Sequence, residues 1–370
     1  MALDLPDFPW DTIAQYAERA RAYPDGLVDL SVGSPVDPTP EFIRTALAAA
    51  TDAHSYPQTA GSVPLREAIV DWYARRRGVE LTVANVLPTI GSKELVSLLP
   101  LLLGLGKGDV VVQPTLAYPT YAIGAALVGA TVLSSDDPGE WPSETKLIWL
   151  NSPSNPDGRV LGVPYLRAAV ARARELDAVI VNDECYAELT WPADGETVYP
   201  SPAASILEPQ VIRGSRDHVL SVYSLSKQSN LAGYRAGFVA GCSDLIDQIL
   251  GARKHIGLMP PAPVQAAMVV ALGNDVHVAA QRAVYGARRE QLMAALVAAG
   301  FRIDDSRAGL YLWATRGERS LDTVSWLADR GILAAPGSFY GDDPAVHVRL
   351  ALTASDADIA RAAARLLAAN

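Results

Sequence analysis

Lysine is scarce in this 370-residue chain: Lys93, Lys107, Lys146, Lys227 and Lys254 are the whole set. Cysteine is rarer still, and Cys185 and Cys242 alone exclude a disulfide framework or a cysteine-built metal knuckle. The histidines His54, His218, His255, His277 and His347 are scattered and form no HExxH pair, and a GxSxG nucleophile elbow is absent. Positive charge is in deficit, with 31 Lys and Arg against 41 Asp and Glu, which argues against a nucleic-acid partner. Long apolar runs are missing too. The stretch from Leu95 to Leu105 is broken by Pro100 and Gly104 and falls short of the roughly 20 residues a bilayer helix needs. The first residues, MALDLPDFPW, show no apolar run behind a basic cluster, so they read as no signal peptide. The expectation is a soluble, cytoplasmic protein without metal or membrane partner.

What is present can build a large core: 49% of residues are hydrophobic and 19% charged. Short β-branched runs at 109–114, 130–135, 146–153, 178–184 and 219–226 alternate with helix-length segments, among them 164–177 and a helix over 93–104. That rhythm predicts an α/β fold whose mainly parallel sheet is buried on both faces. The chain turns helical after about residue 244 and then alternates short strands (FRIDD, GLYLWAT, ILAAPGS, HVRLALT) with helices at 321–330 and 355–368. The division expected is a large domain over 40–280 and a smaller α+β domain from 1–39 with 281–370. The glycine-rich run Gly104–Gly108 precedes a strand, so it reads as a helix-to-strand turn and not as a nucleotide loop.

The chemistry gathers where predicted strands end. Ser224, Ser226, Lys227 and Arg235 fall within twelve residues. Hydroxyls with an arginine fork make a phosphate seat, and a lysine beside that cationic seat can have its pKa lowered enough to act as an amine nucleophile. Asn182-Asp183-Glu184-Cys185-Tyr186 closes a strand with carboxylates at the edge where open parallel sheets bind ligands. The turn Asn151-Ser152-Pro153-Ser154-Asn155-Pro156-Asp157-Gly158 fixes an amide at the same edge. Gly91-Ser92-Lys93 opens a helix, and such an N-terminus can seat an anion.

In motif order, DLSVGSP (29–35), YPQTAGSVPLREAI (56–69), GSKEL (91–95), LAYPTY (116–121), NSPSNPDG, NDECY, SLSKQSNLAGYRAG and HVRLALT (347–353) resemble the fold-type I pyridoxal-phosphate aminotransferases of class I/II. LPDFPWDTI, GLYLWATRGE and APGSFYG look most like the shorter-chain N-succinyl-LL-2,6-diaminopimelate aminotransferases. The resemblance implies the two-domain fold of that family and pyridoxal 5′-phosphate as cofactor. It makes Lys227 the Schiff-base lysine and proton shuttle and pairs Asp183 with the ring nitrogen. Asn155 and Tyr186 are then set on the ring 3′ oxygen, with Tyr118 stacked on the ring. Ser92, Lys93, Ser224, Ser226 and Arg235 are assigned to the phosphate, Arg349 and the backbone near Gly33 to the substrate α-carboxylate. Tyr56 is implied to reach the cofactor of a partner subunit, which implies a homodimer with shared sites.

Departures from the family pattern are local. Asp157 stands where threonine is usual, and is expected to cap the following helix. No motif supplies an arginine for a distal carboxylate, leaving Arg21, Arg253 and Arg282 as candidates, and Glu184 stands as an alternative to Asp183. The substrates implied are N-succinyldiaminopimelate as amino donor and 2-oxoglutarate as the 2-oxo acid acceptor. Another donor (aspartate, aromatic or LL-diaminopimelate) or a C–S β-lyase reaction on the same scaffold are the alternatives.

Overall fold

The computed structural model describes residues 5–192, 198–341 and 345–368. Residues 1–4 of the N-terminal segment lie outside them. In chain order the strands are β1 (Val28–Asp29), β2 (Val86–Ile90), β3 (Val110–Gln113), β4 (Thr131–Ser134), β5 (Thr145–Asn151), β6 (Val179–Asp183), β7 (Val219–Ser224) and β8 (Ala236–Gly241). They are followed by β9 (Arg302–Asp304), β10 (Tyr311–Thr315), β11 (Ile332–Leu333), β12 (Ala335–Pro336) and β13 (His347–Ala351).

A seven-stranded sheet runs β2-β8-β7-β6-β5-β3-β4. The strands from β7 to β4 are parallel, as the alternation of strands and helices predicts, while β8 runs antiparallel to both β7 and β2. The last two strands escape a reading of sequence pattern for a physical reason. VLPTI carries a proline and AGFVAG is small and glycine-rich, and both compositions are poor strand signals. Side chains alternate across the sheet. Ile148, Leu150, Ile180 and Tyr223 pack on one face with Trp72 and Phe238, whereas Leu147, Trp149, Val181 and Val222 pack on the other with Leu95 and Ile249.

A second centre of packing surrounds the antiparallel sheet β12-β13-β10-β9. The N-terminal segment joins it through β1, which pairs in parallel with β11. ILAAPGS, one run in the sequence, thus splits between two sheets, with Ile332–Leu333 on β1 and Ala335–Pro336 on β13. Cys185, Tyr186, Leu189 and Trp191, which directly follow β6, also pack into this second cluster, so the two centres meet at the end of β6.

The helix expected over 93–104 spans Gly91–Leu102 and runs through Pro100 instead of breaking there. The helix Thr120–Val128 crosses it at Gly124, where an added Cβ would sit 3.0 Å from the carbonyls of Val96 and Ser97. Glycine therefore lets the second helix lie against the turn whose hydrogen bonding the proline interrupts. Gly104 and Gly108, both at positive φ, form the helix-to-strand turn ahead of β3.

Candidate functional site

The carboxyl ends of β5, β6 and β7 open on a cavity of about 290 Å³. Gly33, Ser92, Lys93, Tyr118, Asn155, Asp183, Tyr186, Ser224, Ser226, Lys227, Arg235 and Arg349 all line it. Every residue assigned to the cofactor or to the substrate α-carboxylate is therefore gathered in one place, apart from Tyr56.

The turn after β5 is tied down by its first residue. Asn151 Nδ2 donates to the carbonyls of Asp183 (2.9 Å) and Pro153 (3.2 Å), and its Oδ1 accepts from Asn155 N (2.8 Å). The Asn155 amide, so held, accepts from Arg349 Nη1 at 2.8 Å. Asp157 does not cap a helix. The next one begins at Val163 behind Gly162, and the carboxylate instead accepts from Arg159 N at 3.2 Å, closing a local turn.

Asp183 lies at the end of β6 with its carboxylate toward the cavity. Tyr121 donates to Oδ2 at 3.1 Å and Cys185 N to Oδ1 at 3.2 Å. Burial pushes the carboxyl above its ordinary pKa, against the pull of those hydrogen bonds. Among the described residues it forms no ion pair, although four cationic side chains line the same cavity. Glu184, one residue on, points to the other face of the sheet. There it pairs with Arg77 at 3.0 Å and accepts from Ser205 Oγ, Ile206 N and Asn182 Nδ2, which removes it as a stand-in for Asp183.

Ser224 caps the short helical turn Leu225–Gln228, its Oγ accepting from Ser226 N at 3.2 Å and donating to Ser226 Oγ at 2.8 Å. Lys227 leaves this turn and its Nζ donates to the Gly33 carbonyl. Burial lowers its pKa, and the charges of Arg349 and Arg235 add to that, opposing Tyr311 and Cys185. Arg235 takes a left-handed backbone at φ 55° and backs onto Gly91, where an added Cβ would lie 2.4 Å from Nη2. Glycine at 91 thus lets the guanidinium reach the N-terminus of the twelve-residue helix Gly91–Leu102. Ser92, Ser224, Ser226, Arg235 and that helix end together fit a phosphate.

Arg349, on β13, is 2% exposed and stands 3.9 Å from the Tyr311 ring centroid. Nη2 donates to the Ser31 carbonyl at 2.6 Å, and Nε has no hydrogen-bond partner. The buried Arg253 and Arg288, by contrast, each hold a carboxylate. Lys227, Arg235 and Arg349 form no salt bridge among the described residues, and Asp183 is the one acidic side chain lining the cavity. This surplus of positive charge fits an anionic cofactor and an anionic substrate, and the cation-free carboxylate fits a protonated ring nitrogen.

None of the candidates for a distal carboxylate is here. Arg253 is fully buried against Glu94, Arg282 lies over Tyr199, and Arg21 is exposed on the helix Ala14–Arg21. Trp10, Tyr121, Asn151, Cys185 and Tyr311 line the cavity as well. All five fall inside motifs visible in the sequence, but nothing in strand or helix spacing marks which of their atoms face inward. Tyr56 is 96% exposed and sits in a separate groove of about 900 Å³ among Ala46, Ala49, Val63, Val269 and Val270. Among the described residues no group of His, Cys, Asp and Glu could hold a metal ion, and no helix is long and apolar enough to cross a membrane.

Comparison with known proteins agrees with this geometry. The profile of the family described as aminotransferase class I and II matches residues 25–366. A Mycobacterium tuberculosis protein described as a probable aminotransferase is 54% identical over 368 residues, covering 99% of this chain and 86% of that one. The 4-dedimethylamino-4-oxo-anhydrotetracycline transaminase of Streptomyces rimosus is 54% identical over 364 residues, covering 98% and 99%. Among solved structures, a probable N-succinyldiaminopimelate aminotransferase from Thermus thermophilus superposes with TM-score 0.86 at 28% identity, covering 98% of this chain and all of that one.

Proposed function

We propose a function on one premise: the chain belongs to the class I and II aminotransferases, which depend on pyridoxal phosphate. The observation that carries it is the cavity's pairing of an amine, an arginine-serine seat and a buried arginine with one cation-free carboxylate. When bound, the cofactor supplies the electron sink that lets a Cα–H bond of an amino acid ionise.

The residues divide the work as follows. Ser92, Ser224, Ser226, Arg235 and the helix end beside Lys93 hold the phosphate. Asp183 keeps the ring nitrogen protonated, and Tyr121 holds Asp183 in place. Tyr118 lies against the ring, and Asn155 and Tyr186 donate to its 3′ oxygen. Arg349 takes the donor α-carboxylate, with the backbone at Gly33 closing beside it. Lys227 would bind the cofactor through Nζ and, as a free amine, would take the proton from the donor Cα. Its lowered pKa keeps a larger share of the amine free to do so near neutral pH. Residues 40–280 then act as the large domain, and 1–39 with 281–370 as the small one carrying Arg349.

For the donor we propose N-succinyldiaminopimelate, with 2-oxoglutarate as acceptor. The support is the likeness of the terminal segments and the name of the Thermus relative. A second reading, amination of a planar polycyclic ketone, is favoured by the name of the Streptomyces relative. The aromatic chain Phe8–Trp10–Phe339, with centroids 5.5 and 5.3 Å apart at the Trp10 wall of the cavity, adds to it. Rates with N-succinyldiaminopimelate, free diaminopimelate, aspartate, acyl-ornithine and a polycyclic ketone acceptor decide between them. A higher kcat/KM for any of the others sinks the first assignment.

We also propose a homodimer in which Tyr56 reaches the partner's phosphate; its exposure within an apolar groove supports that reading. Lys227→Ala and Tyr56→Asp, unfolded and reassembled together, should return roughly a quarter of wild-type site activity, because one site of each mixed dimer then carries no fault. No return, with mixed dimers shown to form, rules out shared sites.

A further inference from the structure

Tyr311 is the first residue of β10 and is 4% exposed. Its hydroxyl is 3.2 Å from that of Tyr186, the two rings meeting edge to face at 5.8 Å and 72°. Arg349 lies over its ring. The hydroxyl abuts Gly33, where an added Cβ would be 2.1 Å away, and the carbonyl of that same glycine takes the Lys227 hydrogen bond. A tyrosine hydroxyl in the middle of the site needs a glycine at 33 to exist there, and the roles proposed above give it no task.

We infer that Tyr311 is a positioning residue: its hydroxyl donates to Tyr186, making Tyr186 a stronger donor to the cofactor's 3′ oxygen. The linkage between Lys227 and the cofactor then loses its proton at lower pH than Tyr186 alone would allow. This rests on the proposal that Tyr186 faces that oxygen. The direction of donation follows from counting protons: at 3.2 Å either hydroxyl could donate, but with the one proton of Tyr186 given to the 3′ oxygen, the proton between the two phenols comes from Tyr311. Burial raises Tyr311, but the charges of Arg349 and Lys227 pull the other way, and the phenol lies below its ordinary value. Burial and the neighbouring Tyr311 hold Tyr186 well above the ordinary value, so Tyr186 stays a protonated donor toward the 3′ oxygen. The Cys185 thiol and the phenols Tyr118, Tyr340 and Tyr285 also face Tyr311, all raised by burial and neutral at working pH. Lys227 and Arg349 are therefore the charges that bias the pair. Consecutive hydrogen bonds polarise one another, so the far hydroxyl is felt at the oxygen it does not touch.

The test is a spectrophotometric pH titration of the holoenzyme without substrate. Tyr311→Phe removes the hydroxyl and keeps the ring under Arg349. The apparent pKa of the lysine–cofactor linkage should rise by about 0.5–1 unit, the size of one neutral hydrogen bond. Donor KM should stay within about twofold, since the Arg349 contacts remain. Tyr186→Phe should also raise the pKa, and the double variant should rise no further, because the two hydroxyls act in series. Site-specific 3-fluorotyrosine at 311, a stronger donor of the same shape, should lower the pKa and serves if Tyr311→Phe does not fold. An unmoved titration in Tyr311→Phe, or shifts that add in the double variant, overturns the inference while leaving the site intact. An unmoved titration in Tyr186→Phe instead overturns the placement of Tyr186 on which it rests.

Discussion

Asp183 and Glu184 are neighbours in sequence, both buried, both pushed above the ordinary carboxylate range by burial, yet they belong to opposite sides of one sheet edge. On the Glu184 side each charge is answered: Arg77 takes one oxygen, while Ser205, Ile206 and Asn182 take the other. On the Asp183 side the carboxylate, Lys227, Arg235 and Arg349 share a cavity without forming an ion pair among the described residues. One side is closed chemistry that stabilises a fold. The other keeps its charges open for ligands, and that difference separates a structural carboxylate from a functional one.

Variants that exchange the two sides probe the contrast, the deepest losses coming first. Lys227→Ala removes the amine of the open side, and steady-state assays should show turnover down by roughly 10⁴-fold with the melting temperature little changed. Arg77→Met strands Glu184 on the closed side and should cost about 3–5 kcal/mol in denaturant unfolding, with kcat of the folded fraction near normal. Pairing it with Glu184→Gln should recover part of that loss; a still larger loss would mean that Glu184 is held by something other than charge. Asp183→Ala should lower kcat by roughly 10²–10³-fold while fold and cofactor are retained, whereas Glu184→Ala should do the reverse, lowering stability and sparing kcat. Equal kinetic loss in the two variants would erase the distinction between the sides. Arg349→Leu should raise donor KM about 10–100-fold, the loss of one charged hydrogen-bonding partner.

The smallest effect tests the sign of the electrostatics. A carboxyl whose folded pKa is raised penalises the charged native state at pH above that value, and the penalty is relieved as pH falls through it. Cofactor-free Asp183→Asn should therefore melt above the parent at neutral pH, the gap closing on acidification, because it lacks the buried unpaired charge. With cofactor bound the order should invert, since the parent then gains a cation beside Asp183. A parent that stays more stable in both forms would show that Asp183 already has its partner.

Much of this was legible in the chain. Parallel strands were marked by β-branched runs, and the motifs of Asn155, Asp183 and Lys227 each stood at the end of one, so these three could be placed at a common edge from the sequence alone. Strands β2 and β8 were not, because proline and glycine hid them. The role of Asp157 was not legible, and the choice among the three distal-arginine candidates stayed open, because capping and pairing depend on which residue lies alongside. Asp157 found Arg159 N two residues on, and Arg253 found Glu94 across 159 positions.

By itself, then, the sequence determined the local order: which residues end each strand, which face of the sheet each alternate side chain takes, and hence that Asp183 and Glu184 must part. Only the tertiary structure decided which charges go unanswered. Arg349 reaches Ser31 across 318 positions and Asn155 across 194, and Tyr311 meets Tyr186 across 125. Backbone period acts within a few residues and can be read along the chain. Whether a buried charge finds a partner depends on contacts between elements that sequence order does not bring together, and at this sheet edge those contacts divide support from chemistry.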